Sequence, residues 1–508
     1  MKSGKTFDKS SIALIAICVA ALMFGLEISS VPVILPTLEK VMQGNLKDMQ
    51  WIMNAYTLAC TTVLMAAGTL ADKFGRKFIF IFTLIAFGIA SLCCGLAVNP
   101  AMLIMARFLQ GMSGGAMLIC QIAILSSQFQ DNKERSKAFA VWGIVFGTGL
   151  GFGPIIGGAI VSLANWQWVF LVHVPLTIAA LLLVTYSVRE SRDPEAKKLD
   201  FPGIITLSVA VFGLTYYIMQ GGDFGFTSLY GLVIILVSAL SFVIFLITER
   251  RSENPMFDFS VFKIRNFSGA ILGSIGMNFS FWPLMIYLPI YFQIYLGYTI
   301  VNAGLSRLAY TLPTLLIPPV AERLSLKYQP RIIIPLGLFI IGLGFIFMKF
   351  GSSAQYPSWL TMLPGSLLAG IGLGLTNTPV TNTTTGSVPG NRAGMASGID
   401  MSARLITLAI NIALMGVLLQ EGIMSYLKQR LPVGSEFSLN SLAEKITSGS
   451  YNTLKRSFPQ LSYLDPSGTI VHEALNRGFG NVMLFGGIGV WILAALSFII
   501  FGSGKSGK

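Results

Sequence analysis

Apolar runs of about twenty residues, each long enough to cross a bilayer as one helix, recur along almost the whole chain. They fall near 12–36, 49–71, 78–97, 101–124, 137–162, 169–188, 201–220, 229–248, 268–295, 303–323, 331–350, 359–382, 394–421 and 478–501. This pattern predicts an all-α polytopic membrane protein with about fourteen transmembrane helices. The polar punctuation alternates. One set of loops carries Lys73, Arg76 and Lys77, then Lys133, Arg135 and Lys137, then Arg189, Arg192, Lys197 and Lys198. The set continues with Arg250, Arg251, Lys263 and Arg265, then Arg323, Lys327 and Arg331, then Arg392. The other short loops are nearly free of basic residues, so the basic set belongs to the cytoplasmic side. An even number of spans then places both termini in the cytoplasm, in agreement with Lys505 and Lys508. A segment of about 55 residues, 424–477, breaks the rhythm; long loops translocate largely regardless of charge, which predicts an extracytoplasmic cap or docking surface. Short helices are expected in it at Leu439–Ile446 and Tyr451–Arg456.

Composition agrees. Of 508 residues 54% are hydrophobic and 11% charged, against about 25% charged in soluble domains. Lys and Arg exceed Asp and Glu by 35 to 22, but they sit in short loops between apolar runs, which argues against nucleic acid as a partner. The N-terminal lysines Lys2, Lys5 and Lys9 precede an apolar run too long for a cleaved leader, so it reads as a retained first span. All five cysteines lie in apolar runs, and neither they nor His173 and His472 show metal-ligand spacing. No phosphate-binding loop of the Walker A type occurs, which disfavours transport powered by ATP on this chain.

A few charges lie inside the apolar runs, where a carboxylate or guanidinium costs roughly 3 kcal/mol. Glu27 stands in the first. At a rise of 1.5 Å per residue it lies about 22 Å from the cytoplasmic entry, while Arg107 lies about 9 Å from the outer entry of the fourth run. Both are therefore in the outer half at a shared level. A nearby cation favours the ionised carboxylate and burial favours the neutral one, so movement of Arg107 between states would drive proton uptake and release. Asp400 and Arg404 share one face of the thirteenth run at i, i+4, in the inner half. They form either a second proton site or a locally neutralised pair. Arg307, one turn inside the tenth run, is expected to snorkel to the surface. Polar and aromatic residues that could line a substrate cavity are Asn54, Gln110, Asn278, Trp282, Tyr287, Tyr291, Gln293, Asn377 and Asn411.

Three motifs carry a family resemblance. Gly68-Thr69-Leu70-Ala71-Asp72-Lys73-Phe74-Gly75-Arg76-Lys77 resembles the cytoplasmic signature G-x-L-A-D-x-x-G-R-K of the major facilitator superfamily. Arg107-Phe108-Leu109-Gln110-Gly111 resembles its R-x-x-Q-G signature. Gly149, Gly153, Pro154, Gly157 and Gly158 fit the antiporter signature G-x-x-x-G-P-x-x-G-G; glycines four residues apart also leave a stripe on which another helix can pack closely. Leu26-Glu27 through Leu35-Pro36, and Trp51 through Tyr56, resemble the fourteen-span drug:proton antiporter branch. This chain has Glu27 where that branch has Asp, Ser30 and Pro32 at apolar and Asn positions, Gln167 for Arg, and His173 where Asn is common.

The resemblance implies a major facilitator fold with an N-terminal six-helix bundle (1–198), two extra linker helices (199–266) and a C-terminal six-helix bundle (267–508). The segment Glu322 to Arg331 would be a degenerate second copy of the Asp72 loop. It also implies a multidrug efflux antiporter of the bacterial inner membrane that contributes to antibiotic resistance. In this reading Glu27, Arg107, Asp400 and Arg404 couple protons, Gly68, Asp72, Gly75, Arg76 and Lys77 form a conformational gate, and Gly149, Gly153, Gly157 and Gly158 with Pro154 pack the antiporter helix. It needs no metal or cofactor beyond the coupling proton. A periplasmic adaptor and an outer-membrane channel are implied partners in a double-membraned host. Two other readings stay open: a dedicated exporter of one metabolite, such as a siderophore or lipid-like compound, and a non-transporting receptor or scaffold.

Overall fold

A computed structural model describes residues 9–43, 46–192, 200–251, 259–298, 300–431, 439–446, 454, 458–459 and 461–502. Lys2, Lys5, Lys197, Lys198, Lys505, Lys508 and, Leu454 apart, the helix expected at Tyr451–Arg456 lie outside these residues. All regular structure among the described residues is helical. The helices are α1 Lys9–Val41, α2 Leu46–Phe74, α3 Arg76–Gly95, α4 Pro100–Gln128, α5 Asn132–Leu163, α6 Gln167–Leu171, α7 His173–Ser187, α8 Phe201–Phe224 and α9 Leu229–Arg251. They continue with α10 Arg265–Ile290, α11 Ile300–Leu316, α12 Pro318–Tyr328, α13 Pro330–Ser352, α14 Trp359–Gly386, α15 Ala393–Arg430, α16 Leu439–Ile446 and α17 Thr469–Phe501.

Each apolar run has become a helix or a broken helix. Among the described residues eleven helices are long and apolar enough to cross a membrane, or twelve when the two arms of α2, bent by 50°, count as one span. The protein is membrane-embedded. The runs expected at 303–323 and 394–421 are helical too, as α11 with α12 and as α15, but fall outside that count. The breaks have local causes. Pro318 and Pro319 cannot continue the hydrogen-bond ladder of α11, and Pro283 and Pro289 precede a π-helical turn over Tyr291–Tyr295.

The chain divides into two compact units. Unit 1 holds residues 1–271, 318–330 and 378–406, and unit 2 the rest. Within unit 1, the glycine stripe of α5 lies directly on α1. A Cβ at Gly149 would meet the backbone at Leu22 and Gly25, one at Gly153 the Ser29 side chain, and one at Gly157 Ser30. Ser29 Oγ seals the seam by donating to Gly149 O at 2.9 Å. Pro154 and Gly158 are half-buried. A second seam joins α2 and α4, where Gly111 lies against the Tyr56 backbone and Gly115 against Cys60. The pair α8 and α9 meets through Gly213 and Ser238, and Tyr216 of α8 reaches Trp51 of α2 with ring centroids 5.9 Å apart. On α9 only Gly231, Ser238, Phe245 and Glu249 are buried. Its remaining faces are apolar and exposed, as expected of a helix surrounded by lipid.

In unit 2 the core gathers Tyr291, Tyr310, Phe345 and Phe479. The segment after α15 is packed into this core: Leu442, Ala443 and Ile446 of α16 are fully buried with Leu427 and Val471. Helix α16 coincides with the expected Leu439–Ile446, while α15 runs on to Arg430 and α17 starts at Thr469, so the helical ends extend into the predicted loop.

The α1–α5 seam makes a stability prediction. In thermal unfolding of the detergent-solubilised protein, Gly153→Leu should cost about 1–3 kcal/mol through overpacking. Gly304→Ala, whose Cβ meets nothing within 4 Å, should stay within about 0.5 kcal/mol. Equal effects at the two sites would contradict the packing described.

Candidate functional site

The glycine seams decide which way the polar residues of unit 1 point. With its Ser29 and Ser30 side pressed on α5, α1 turns Glu27 inward, where it is wholly buried. The Gly111 contact brings α4 onto α2 and carries Arg107, one turn earlier, to the same place. Arg107 Nη1 donates to Glu27 Oε1 and, at 2.8 Å, to Gln110 Oε1. Its Nε donates to Ile52 O at 3.1 Å, and its guanidinium carbon lies 4.3 Å from the centre of the Tyr56 ring. Gln110 Nε2 in turn donates to Ser91 Oγ at 2.8 Å, so the amide is held from both ends. The matching depth expected from helical rise is therefore a direct ion pair with a fixed second layer.

A third member escaped the sequence reading. His173, at the start of α7, is fully buried, with Nε2 2.8 Å from Glu27 Oε2 and its ring edge-on to Phe87 at 5.6 Å. The approach to Oε2 is off the N–H axis, so it is a close polar contact rather than an aligned hydrogen bond. Nδ1 is buried without a hydrogen-bond partner. The available signal was His173 standing where Asn is common. A carboxylate and an imidazole in one dry cluster, beside a cation that keeps its protons, can exchange a proton between themselves with little rearrangement.

The second site forms at the junction of α2 and α3. Arg76 Nε and Nη2 donate to Asp72 Oδ1 at 3.0 and 2.7 Å. Asp72 also accepts from the backbone amides of Gly394 at 3.2 Å and Met395 at 3.0 Å, the open N-terminus of α15. A helix N-terminus favours an anion there. Arg76 Nη2 donates to Gly390 O at 2.7 Å, completing the clasp. Gly68 touches Gly394 backbone to backbone, leaving no room for a side chain. Gly75 turns the chain at φ +110°, which favours glycine. Beside it Glu190 caps α3 by accepting from Lys77 N at 3.1 Å and Phe78 N at 3.0 Å, and Lys77 Nζ donates to Thr185 O at 2.8 Å. All five predicted gate residues thus come together, and the partner of Asp72 is a helix end.

Asp400 and Arg404 pair as their spacing suggests. Arg404 Nε lies 3.2 Å from Asp400 Oδ1, and Thr381 bridges them, accepting from Arg404 Nη2 at 2.7 Å and donating to Asp400 Oδ2 at 3.1 Å. The substrate candidates are divided between the two units. Gln110 belongs to the Glu27 cluster, and Asn54 of unit 1 is half-buried. In unit 2, Tyr287 and Tyr291 are core residues, the latter stacked on Phe479 at 4.3 Å. Asn278 Nδ2 donates to Ser274 O at 3.1 Å and Asn411 Nδ2 to Phe279 O. Gln293 is exposed, Asn377 half-buried, and the Trp282 side chain lies outside what is described. Arg307 does not snorkel: its Nε is buried without a partner and Nη2 lies 2.9 Å from Met285 Sδ. No group of three or more potential metal ligands occurs among the described residues.

Known proteins resemble this chain over most of its length. The sequence model described as Major Facilitator Superfamily matches residues 17–410. The chain is 30% identical over 420 residues to the multidrug resistance protein Stp of Mycobacterium tuberculosis, covering 83% of this chain and 78% of that one. It is 28% identical over 417 residues to the quinolone resistance protein NorB of Staphylococcus aureus, covering 82% and 89%. Among solved structures the human organic anion transporter MFSD10 (TETRAN) superimposes with a TM-score of 0.63 at 13% identity, covering 97% of this chain and 99% of that one, a likeness of fold.

The clasp at Asp72 predicts non-additive stability. Asp72→Asn leaves the buried Arg76 without its carboxylate, a loss of about 3–5 kcal/mol when one partner of a buried pair is removed. Adding Arg76→Gln should recover part of it, giving a coupling of about 1–3 kcal/mol in a double-mutant cycle on thermal unfolding. Strictly additive losses would contradict the pairing.

Proposed function

We propose that this chain, which belongs to the Major Facilitator Superfamily, exports amphipathic or cationic small molecules in exchange for protons by alternating access. It is a transporter and not an enzyme. The observation that carries the proton coupling is the wholly buried Glu27 held between Arg107 and His173. With Arg107 donating to Oε1, the carboxylate is stabilised in its ionised form. In a state where helix movement draws Arg107 away, the same acid lies in an apolar setting that favours the neutral form, and it takes up a proton. Return of Arg107 as substrate binds expels the proton. His173 is the adjacent acceptor through which it passes.

Inward closure would be held by Asp72 on the α15 N-terminus and by Arg76 on Gly390 O. That contact consists of a few charge-assisted hydrogen bonds, so it can be broken and remade in each cycle. Asp400 and Arg404 have each other and Thr381 for partners, which supports the neutralising role over a second proton site. Assignment to the fourteen-span branch rests on the run around Glu27 and on the α8–α9 pair, and the names of the Mycobacterium and Staphylococcus relatives support drug-like cargo. The basic-loop pattern supports both termini inside, with the bacterial inner membrane as the proposed location.

Glu27→Gln keeps the shape of the side chain and removes its titration. In proteoliposomes carrying a pH gradient, this variant should lose gradient-driven transport of a cationic dye by at least about a hundredfold, a barrier increase of roughly 3 kcal/mol, while still binding the dye. Undiminished gradient-driven transport would remove Glu27 from the mechanism.

A further inference from the structure

Unit 1 contains, at the end bearing Asp72, a cavity of about 470 Å³ whose wall includes Arg76, Arg135 and Arg192 and, among the described residues, no acidic side chain. Ser126, Ser127 and Ser191 add hydroxyls to the same wall. Arg76 is committed to Asp72 and Gly390 O, but the other two arginines are not. Arg135 makes one long hydrogen bond, Nη2 to Asn132 Oδ1 at 3.5 Å, and its Nε is buried with no partner. The acid whose charge it feels, Glu322, accepts its hydrogen bond from Asn382 Nδ2 at 2.9 Å. Arg192 makes no ion pair among the described residues. Ser126 is 7% exposed and its hydroxyl has no partner among the described residues, while Ser127 Oγ donates to Ile124 O at 3.1 Å and lies 3.1 Å from Ser191 Oγ.

Unfilled buried donors carry an uncompensated desolvation cost, and a ligand that only accepts hydrogen bonds and carries negative charge removes that cost. Two uncommitted guanidinium forks suit the oxygens of a phosphate group, and the volume lies within the roughly 300–1,000 Å³ range of small-molecule sites. We infer that this cavity binds a phosphate-bearing ligand, either the headgroup of an anionic lipid or a soluble phosphorylated compound. The basic-loop pattern places the cavity on the cytoplasmic side, within reach of both. Because Arg76 and Gly390 are shared between its wall and the Asp72 clasp, a bound phosphate favours the state in which the clasp is closed. Occupancy therefore sets how readily the transporter opens inward, independently of the Glu27 chemistry.

The test uses the full-length protein with two probes. In detergent, inorganic phosphate is titrated against chloride at matched ionic strength and pH while the melting midpoint is followed. In nanodiscs, retention of phosphatidylglycerol is compared with that of phosphatidylcholine by native mass spectrometry. Arg192→Gln, at an exposed position, is the variant least able to disturb folding, and Arg135→Gln with Arg135→Lys separates charge from shape. The wild type should show a saturating rise with phosphate, selective retention of phosphatidylglycerol, or both. Each Gln variant should weaken the effect about tenfold or more, with Arg135→Lys between, as expected when a charge-assisted hydrogen bond is lost. A response to phosphate identifies a soluble ligand as sufficient, and a response to phosphatidylglycerol alone identifies the headgroup. Identical behaviour of wild type, Arg192→Gln and Arg135→Gln in both arms, including no response in any of them, overturns the proposal.

Discussion

A carboxylate shielded from solvent inside a membrane-spanning helix has to be neutralised where it stands, and the arrangement of unit 1 follows from that requirement at Glu27. One oxygen meets Arg107 and the other His173, and neither residue is more than 1% exposed. Arg107 in turn needs Gln110, Ile52 O and the face of Tyr56 to satisfy a guanidinium that no water reaches. Five helices, α1, α2, α3, α4 and α7, contribute to the cluster. Removing any one member leaves an uncompensated polar group, which is costlier than never having buried the set. A cluster balanced this way is sensitive to a single added proton.

Glycine makes the balance attainable. The α5 stripe and Gly111 of α4 lie at backbone contact with α1 and α2, and that closeness fixes helix rotation to within the reach of one side chain. The antiporter signature and the R-x-x-Q-G signature thus converge on one site: the first turns Glu27 inward and the second supplies its cation. Ser30, a departure from the branch pattern, packs on Gly157 and belongs to that seam.

Most of the fold was legible in the chain. Twenty-residue apolar runs have few alternatives in a bilayer, so they located every long helix, whereas the breaks at prolines after α10 and α11 fall inside the runs 268–295 and 303–323, which read as continuous. Helical rise alone placed Glu27 and Arg107 at one level, and i, i+4 spacing paired Asp400 with Arg404. Contacts between distant segments were not legible. Nothing local announces that Asp72 caps the start of α15, more than three hundred residues on, or that His173 faces Glu27 across the bundle. For the same reason Tyr287 and Tyr291, polar enough to suggest a cavity, are core residues, and Arg307 is packed beside Met285. Apolar periodicity separates lipid from protein but does not tell one buried face from another.

Two polar centres in unit 1 therefore do different work in the proposed cycle: Glu27 handles the proton, and the Asp72 clasp reports and holds the conformation. The central claim is that substrate and proton compete through Glu27. Proton release on substrate binding, read with a pH indicator in weakly buffered detergent solution of the full-length protein, tests it most directly. The account predicts that wild type releases protons as a cationic substrate binds, and that Glu27→Gln binds the same substrate and releases none. Equal proton release from both proteins would contradict it.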